Sequence, residues 1–177
     1  MHPGMPLVFT TRLDRADADR AIATRLVTES LTHPGIVVSN RGGWHSLPDL
    51  AQRPDPDLRA LMQLLVEHMR EASRLLAHPP SGLLLTAWAM VMRNGDFAVA
   101  HDHAEATWSS AYYLDPGDAD LSSHPESGRL VFDDGSIDPT PGLLVLFPGT
   151  TRHRVEPYRG QRPRVVIAAN GKLVSAR

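Results

Sequence analysis

The sequence predicts a mainly β domain, a barrel or sandwich of short strands with helices from the N-terminal half packed on one sheet. Two segments with helical periodicity come first, and about seven β-rich runs separated by Gly, Pro and Asp follow from residue 83 onward. Helices followed by a series of strands are typical of a sheet structure buttressed by helices. The 177 residues, 42% of them hydrophobic, suit one compact domain with a core and are short for two.

Both helices are predicted from the spacing of their apolar residues. The first covers Arg15–Leu31 and begins with acidic residues, which suit a helix N-terminus. The second covers Asp55–Ala77, where Asp55 can act as the N-cap and Pro56 fits the first helical position. An apolar stripe at this spacing predicts that the second helix packs against a sheet.

The strands are predicted from short runs rich in β-branched and aromatic residues. We therefore divide the chain into a helical buttress, residues 1–82, and a β-barrel core, residues 83–177. Between the strands, residues 115–127 and 133–141 are long enough to be functional loops. The predicted strands are Leu83–Arg93, Phe97–His103, Trp108–Leu114, Gly128–Phe132, Leu143–Phe147, His153–Glu156 and Arg164–Ala169.

Composition excludes several kinds of function. Eighteen basic residues against 20 acidic ones give a net charge of -2, which argues against nucleic acid as a partner. No run approaches the roughly 20 apolar residues of a membrane span, and no secretion signal is visible, so we expect a cytoplasmic protein without a membrane partner. The absence of cysteine excludes thiolate nucleophiles and thiolate metal ligands, so any metal must be bound by imidazole, carboxylate or carbonyl groups.

A pair of histidines in the second predicted strand is the first candidate site. His101 and His103 are two residues apart, so on an extended chain both imidazoles project to one face while Asp102 points to the other. His153 opens a later strand just after a turn and is the best third ligand. Imidazole suits iron, zinc, copper or nickel, so the histidines alone do not select the metal. The alternative is that they are ordinary surface or core residues.

Arg164 adds a cation near the last histidine. It begins the apolar run Arg164–Ala169. If His153 lies on the neighbouring strand of a hairpin through residues 158–161, Arg164 points into the same cavity, where its guanidinium can bind a carboxylate in bidentate fashion. The alternative is a surface ion pair.

Ordered segments over most of the chain resemble the 2OG-Fe(II) oxygenase family of the double-stranded β-helix superfamily. The histidine pair matches the family's His-x-His-Pro signature, and the aromatic strand after it resembles the family's Trp-Ser-Gly-Val-Tyr-Tyr. Single motifs are weak, but the ordered set is specific. The segments are Ser39–Ser46, Trp88–Val91, Gly95–Phe97, His101–Ala104, Trp108–Leu114, Phe147–Pro148, His153–Pro157 and Arg164–Asn170.

The resemblance implies a jelly-roll, cupin-like barrel that uses iron(II), 2-oxoglutarate as co-substrate and O₂. It implies hydroxylation of a C–H bond of a small-molecule substrate, with release of succinate and CO₂. Arg164 would bind the distal carboxylate of 2-oxoglutarate, assisted by a hydroxyl from one of three residues. The implied iron ligands are His101, His103 and His153, and the three hydroxyl candidates are Ser109, Tyr112 and Tyr113.

Departures from the family pattern leave alternatives open. The usual iron ligands are two histidines and one carboxylate, so Glu105 is an alternative ligand in place of His101, although we favour the three histidines. Trp88 and Trp108 are expected in the core, whereas Trp44 is either core or part of the rim of the site. Two other functions remain candidates: a cupin-like three-histidine metal dioxygenase that does not use 2-oxoglutarate, and a non-catalytic ligand-binding barrel.

Overall fold

The computed structural model describes residues 7–76 and 82–174, and its N-terminal part contains both predicted helices. Strand β1 (Phe9–Arg12) precedes helix α1 (Ala16–Thr32), and the short strands β2 (Asn40–Arg41) and β3 (Trp44–His45) lie before helix α2 (Pro56–Ser73). The Asp55 carboxylate caps α2 as expected, accepting hydrogen bonds from the backbone N–H groups of Asp57 and Leu58 at 2.9 and 3.0 Å. Residues 74–76 form a turn, so the helix ends earlier than predicted, and residue 77 lies outside the described residues.

The remaining strands lie near their predicted positions, with three differences. The last strand continues to Val174, five residues beyond its predicted end at Ala169. The strand that carries His101 ends at that residue, so His103 lies beyond it, and a strand occupies part of the predicted loop 133–141. The strands are β4 (Gly82–Met92), β5 (Phe97–His101), β6 (Trp108–Asp115), β7 (Leu130–Phe132), β8 (Gly135–Ile137), β9 (Leu143–Pro148), β10 (His153–Val155) and β11 (Arg164–Val174).

Two antiparallel sheets face each other. Six strands form one sheet in the order β1-β9-β6-β11-β4-β3, and five form the other in the order β2-β5-β10-β7-β8. Leu130 and Phe132 of β7 pack in one buried cluster with Tyr113, Phe147 and Val166 of the larger sheet, so apolar side chains join the two sheets. Residues 1–82 therefore supply strands to both sheets as well as helices, which the predicted division of the chain did not include.

Alternation along the strands of the larger sheet separates two environments. Ala89, Val91, Ile167 and other residues of one face join α1 and α2 in the main hydrophobic core. Complete burial of a side chain such as Leu61 of α2 contributes about 2 kcal/mol. The residues between them face the smaller sheet and line a cavity, and they include Trp88, Met90 and Met92 of β4 and Arg164, Val166 and Ala168 of β11.

The tryptophans divide between these environments. Trp108 is in the core as predicted, but Trp88 lines the cavity. Trp44 is also buried in the core, where its indole Nε1 donates to the carbonyl of His33 at 3.0 Å, so it is not part of the rim. None of the helices in the described ranges is long and apolar enough to cross a membrane.

The expected hairpin between His153 and Arg164 does not form. Strand β10 pairs with β5 and β7 in the smaller sheet, whereas β11 pairs with β4 and β6 in the larger one. Residues 156–163 cross from one sheet to the other. His153 and Arg164 nevertheless line the same cavity, because they enter it from opposite sheets.

Candidate active site

Three histidines meet at one end of the cavity between the sheets. His101 and His153 are directly paired across β5 and β10, and their ring centroids are 4.3 Å apart. His103 lies two residues past the end of its strand segment, where its backbone N–H donates to the Gly149 carbonyl at 2.7 Å. Its ring centroid is 5.0 Å from that of His101 and 5.3 Å from that of His153. The potential ligand atoms of all three lie within 4.8 Å of one another.

Backbone contacts fix how two of these imidazoles face the centre. Nδ1 of His101 lies 2.8 Å from the Val99 carbonyl, and Nδ1 of His153 lies 2.9 Å from the Thr151 carbonyl. A carbonyl oxygen only accepts, so each Nδ1 carries the proton and each Nε2 keeps its lone pair for a metal. Burial lowers the pKa of both His103 and His153 to about 4, so both are neutral at neutral pH and ready to bind a cation.

Neither nearby carboxylate joins the cluster. The side chain of Asp102 is exposed and accepts from the backbone N–H of Ala104 at 3.1 Å. The side chain of Glu105 is 97% exposed and lies 3.6 Å from the ammonium of Lys172. The alternative in which Glu105 replaces His101 is therefore not supported, and the described residues present three imidazoles.

Arg164 lies in the same cavity as a buried cation without a counter-ion. Only 2% of its surface is exposed, and no described carboxylate forms an ion pair with it. Nη2 donates to the Gly128 carbonyl at 3.2 Å, Nη1 contacts the thioether sulfur of Met92 at 3.3 Å, and Nε has no partner. Burial lowers its pKa, because an unpaired buried charge costs several kcal/mol.

The three candidate hydroxyls do not share one environment. Tyr113 lines the cavity, its ring centroid lies 5.3 Å from the Arg164 guanidinium carbon, and its buried hydroxyl has no hydrogen-bond partner. Ser109 also lines the cavity, although its hydroxyl donates to Asn170 at 2.8 Å. Tyr112 was wrongly included: β6 alternation turns it to the helix side, where its hydroxyl donates to Asp19.

The cavity also contains residues that the sequence did not assign to the site. Trp88 lies beside the histidine cluster, 5.6 Å from the His103 ring, and stacks on His45 at 5.6 Å and 8°. Met92 contacts Arg164, as described above. Gly128, at φ +65°, leaves room for the guanidinium, since a Cβ there would lie 3.0 Å from Arg164 Nε. Strand alternation places Met90 and Met92 on the same face of β4 as Trp88, a signal that the sequence analysis did not use, whereas no sequence signal connects Gly128 with Arg164.

These residues fit iron(II) and 2-oxoglutarate. Imidazole nitrogens are suitable ligands for iron. The Arg164 Nε and the Tyr113 hydroxyl are buried donors without acceptors, and a carboxylate supplies acceptors for both.

Comparison with known proteins agrees with this fit. Residues 123–170, which include His153 and Arg164, match the sequence family described as "Putative 2OG-Fe(II) oxygenase". A search of curated proteins found no match.

Solved structures share the fold over nearly the whole chain. A prolyl-4-hydroxylase of Pseudomonas putida is 19% identical, with a TM-score of 0.69 over 95% of this chain and 93% of that one. A prolyl hydroxylase of Trichoplax adhaerens, in complex with a peptide fragment, is 16% identical, with a TM-score of 0.71 over 93% and 82%. HygX of Streptomyces hygroscopicus, which has nickel and 2-oxoglutarate bound, is 10% identical, with a TM-score of 0.69 over 95% and 83%.

The fold is therefore the predicted double-stranded β-helix with helices on one sheet. The family match covers residues 123–170, and this part of the chain therefore resembles the 2OG-Fe(II) oxygenases.

Proposed function

We propose that this protein is a 2OG-Fe(II) oxygenase that hydroxylates a C–H bond of a small-molecule substrate. One oxygen atom of O₂ enters the substrate and the other enters succinate, as 2-oxoglutarate loses CO₂. The observation that carries the proposal is a single cavity with three imidazoles at one end and a buried, unpaired arginine at the other. Bound iron(II) and 2-oxoglutarate supply the oxidising chemistry, while the protein positions the reactants and excludes water.

His101, His103 and His153 are the proposed iron ligands. Three neutral imidazoles leave the full charge of the ion uncompensated, whereas the usual set contributes one carboxylate. The centre therefore attracts the dianion 2-oxoglutarate more strongly. The backbone carbonyls behind His101 and His153 hold their rings in place before the metal binds.

Arg164 is the proposed partner of the distal carboxylate of 2-oxoglutarate, with the Tyr113 hydroxyl as a second donor. A thioether is a weak acceptor, so the Met92 contact is easily exchanged for a carboxylate oxygen. The flexible methionine side chain can move aside without a change of backbone. Ser109 lies on the same cavity wall, but its hydroxyl already donates to Asn170 at 2.8 Å and so has no proton left for the carboxylate.

The substrate is expected at the histidine end, beside Trp88. The cavity is small, about 70 Å³, so most of a substrate must lie at its opening rather than inside it. The indole of Trp88 offers an apolar surface next to His103, and the same indole stacks on the His45 ring.

Iron and co-substrate binding test the two halves of the site separately. We expect His153→Ala to lose stoichiometric iron(II) in anaerobic equilibrium dialysis. We expect Arg164→Gln to keep iron but to bind 2-oxoglutarate at least about tenfold more weakly, because a charged bidentate contact is lost. Arg154→Gln is the matched control, since Arg154 is an exposed neighbour of His153 paired with Glu156, and it should change neither. Unchanged 2-oxoglutarate affinity in Arg164→Gln would refute the role of Arg164.

Isotope labelling tests the reaction itself. Under oxygen-18 gas, the succinate formed by the iron-loaded enzyme should contain one labelled oxygen, detected by mass spectrometry. O₂ consumption without any succinate would instead support the cupin-like dioxygenase that does not use 2-oxoglutarate.

A further inference from the structure

A second, larger cavity lies on the helix side of the larger sheet. It has a volume of about 630 Å³, within the range of small-molecule sites. The end of β1, the start of α1, the end of β6 and residues 141–142 surround it, and none of its lining residues lines the iron cavity. Its apolar walls include Leu13, Leu114, Pro116 and Pro141.

Two buried side chains of opposite charge line this cavity. Each has one polar atom without a hydrogen-bond partner in the described ranges. The side chains of Arg15 and Asp19 are only 10% and 5% exposed. Arg15 Nη2 donates to the Asp57 carbonyl at 3.0 Å, and Tyr112 donates to Asp19 Oδ2, but Arg15 Nη1 and Asp19 Oδ1 have no hydrogen-bond partner among residues 7–76 and 82–174. Arg15 Nε lies 3.6 Å from Asp19 Oδ1, so the two side chains form an ion pair, although the distance is too long for a hydrogen bond. Burial raises the pKa of Asp19, although the hydrogen bond from Tyr112 and the charge of Arg15 act to lower it.

Two exposed charged side chains around the cavity, one positive and one negative, form no ion pair among the described residues. Arg12 forms no ion pair among the described residues and donates only to the Thr140 hydroxyl, at 3.3 Å. The N-terminus of α1, at Arg15, has no side-chain cap and so favours a negative group. Asp14 adds a negative charge without an ion-pair partner in the described ranges. Arg20, Asp115 and Arg162, which also line the cavity, form ion pairs, as Arg15 and Asp19 do with each other.

We propose that this cavity binds a free α-amino acid with an apolar side chain. Its carboxylate accepts from Arg15 Nη1, close to the α1 N-terminus and within reach of Arg12. Its ammonium group donates to Asp19 Oδ1, and its side chain packs against the apolar walls. A simple anion or a simple amine would satisfy only one of the two unpaired atoms, whereas a zwitterion satisfies both.

Calorimetric titration of the chelator-treated protein, without iron or 2-oxoglutarate, tests this site independently of the proposed oxygenase reaction. The probes are L-leucine, L-methionine and L-phenylalanine. Two analogues of leucine each retain one of its charged groups: 4-methylpentanoate lacks the amine, and 3-methylbutylamine lacks the carboxylate. We expect saturable binding of at least one amino acid. We also expect at least about tenfold weaker binding of both analogues than of leucine.

Variants locate the binding. Asp19→Asn, which keeps an acceptor for Tyr112, and Arg12→Gln, which changes an exposed side chain, should each weaken amino-acid binding by about tenfold. Arg20→Gln is the matched control, because Arg20 lines the cavity but is paired with Asp17, and it should bind like the original protein. No saturable binding by any of the three amino acids, equal binding of an analogue, or no effect of both Arg12→Gln and Asp19→Asn would overturn the proposal.

Discussion

The decisive residue is Arg164, because its environment is incomplete without an anion. A guanidinium that is 2% exposed normally pairs with a carboxylate, yet here its neighbours are a backbone carbonyl, a thioether and the face of Tyr113. The protein thus carries an unfavourable buried charge, which the carboxylate of 2-oxoglutarate compensates in the proposed function. Stability and co-substrate binding are opposed at this position.

Replacement of Arg164 by an apolar residue tests whether stability and co-substrate binding are opposed at this position. We expect Arg164→Met to raise the free energy of unfolding of the ligand-free protein by about 1–2 kcal/mol, because an uncompensated buried charge is removed and a flexible apolar chain fills its place. Urea denaturation measures the change, and 2-oxoglutarate binding should be lost in the same variant. A less stable Arg164→Met protein would show that the cation is well compensated in the native fold.

The two adjacent tyrosines show what residue patterns predict and what they leave open. Strand alternation requires Tyr112 and Tyr113 to face opposite sides of the sheet, but it does not say which side holds the helices. The structure settles this, since the Tyr112 hydroxyl contacts Asp19 of α1 and the Tyr113 ring contacts Arg164. Similarly, the histidine spacing predicted a cluster, although His103 reaches it from beyond the strand.

At the element scale, the predicted hairpin failed because nearness in sequence does not determine which sheet a strand joins. The backbone N–H of Tyr158 donates to Asp96 and its carbonyl accepts from Gly95, at 2.9 and 2.8 Å, so the segment after β10 is anchored to the turn between β4 and β5. That anchor directs the chain across to the larger sheet. The sequence predicted β10 and β11 but contained no signal for this crossing.

The segment before β7 supports Arg164, and a small change there should weaken the site. Gly128 has a φ of +65°, and a Cβ would lie 3.0 Å from Nε and 3.1 Å from Cδ of Arg164. Gly128→Ala should therefore destabilise the protein by about 1 kcal/mol through its backbone conformation, and displace the guanidinium. We expect weaker 2-oxoglutarate binding by calorimetry with unchanged iron binding.

Gly135→Ala is the control for this substitution, since a Cβ at Gly135 meets no atom within 4 Å and that residue has no positive φ. It should bind 2-oxoglutarate like the original protein. Equal affinity in the Gly128→Ala protein would mean that the guanidinium position does not depend on this glycine.

For the whole molecule, the histidine cluster makes stability depend on pH. His103 and His153 have a pKa of about 4 in the folded protein against 6.5 in the unfolded chain, so the unfolded state binds more protons between these values. Their contribution to stability is complete above about pH 6.5 and is lost as the pH falls towards 4. Urea denaturation of the chelator-treated protein should show this fall between about pH 7 and pH 5.

His153→Gln tests whether the cluster causes this dependence. Glutamine does not titrate in this range, so the variant should show a shallower decrease of unfolding free energy between the same two pH values, whatever its absolute stability. An unchanged slope would assign the pH dependence to groups outside the cluster.

The general architecture was predictable because helix and strand periodicities are local properties of the chain. The helices, most strands, the histidine cluster and Arg164 all came from local pattern or from ordered motifs. Long-range packing determines how β1, β2 and β3 join the sheets, where Trp44 lies and how Gly128 contacts Arg164. The stretch from Leu7 to Leu13 alternates, but alternation alone does not say which strand β1 pairs with.

The central claim is that one cavity holds iron(II) and 2-oxoglutarate together. Anaerobic titration of the metal-free protein with iron(II) and then 2-oxoglutarate measures this directly, because a 2-oxo acid chelated to iron(II) has a visible charge-transfer band. We predict that the band appears and saturates, that His153→Ala abolishes it, and that Arg164→Gln shifts its midpoint to higher 2-oxoglutarate concentration. Stoichiometric iron without any band would contradict the account.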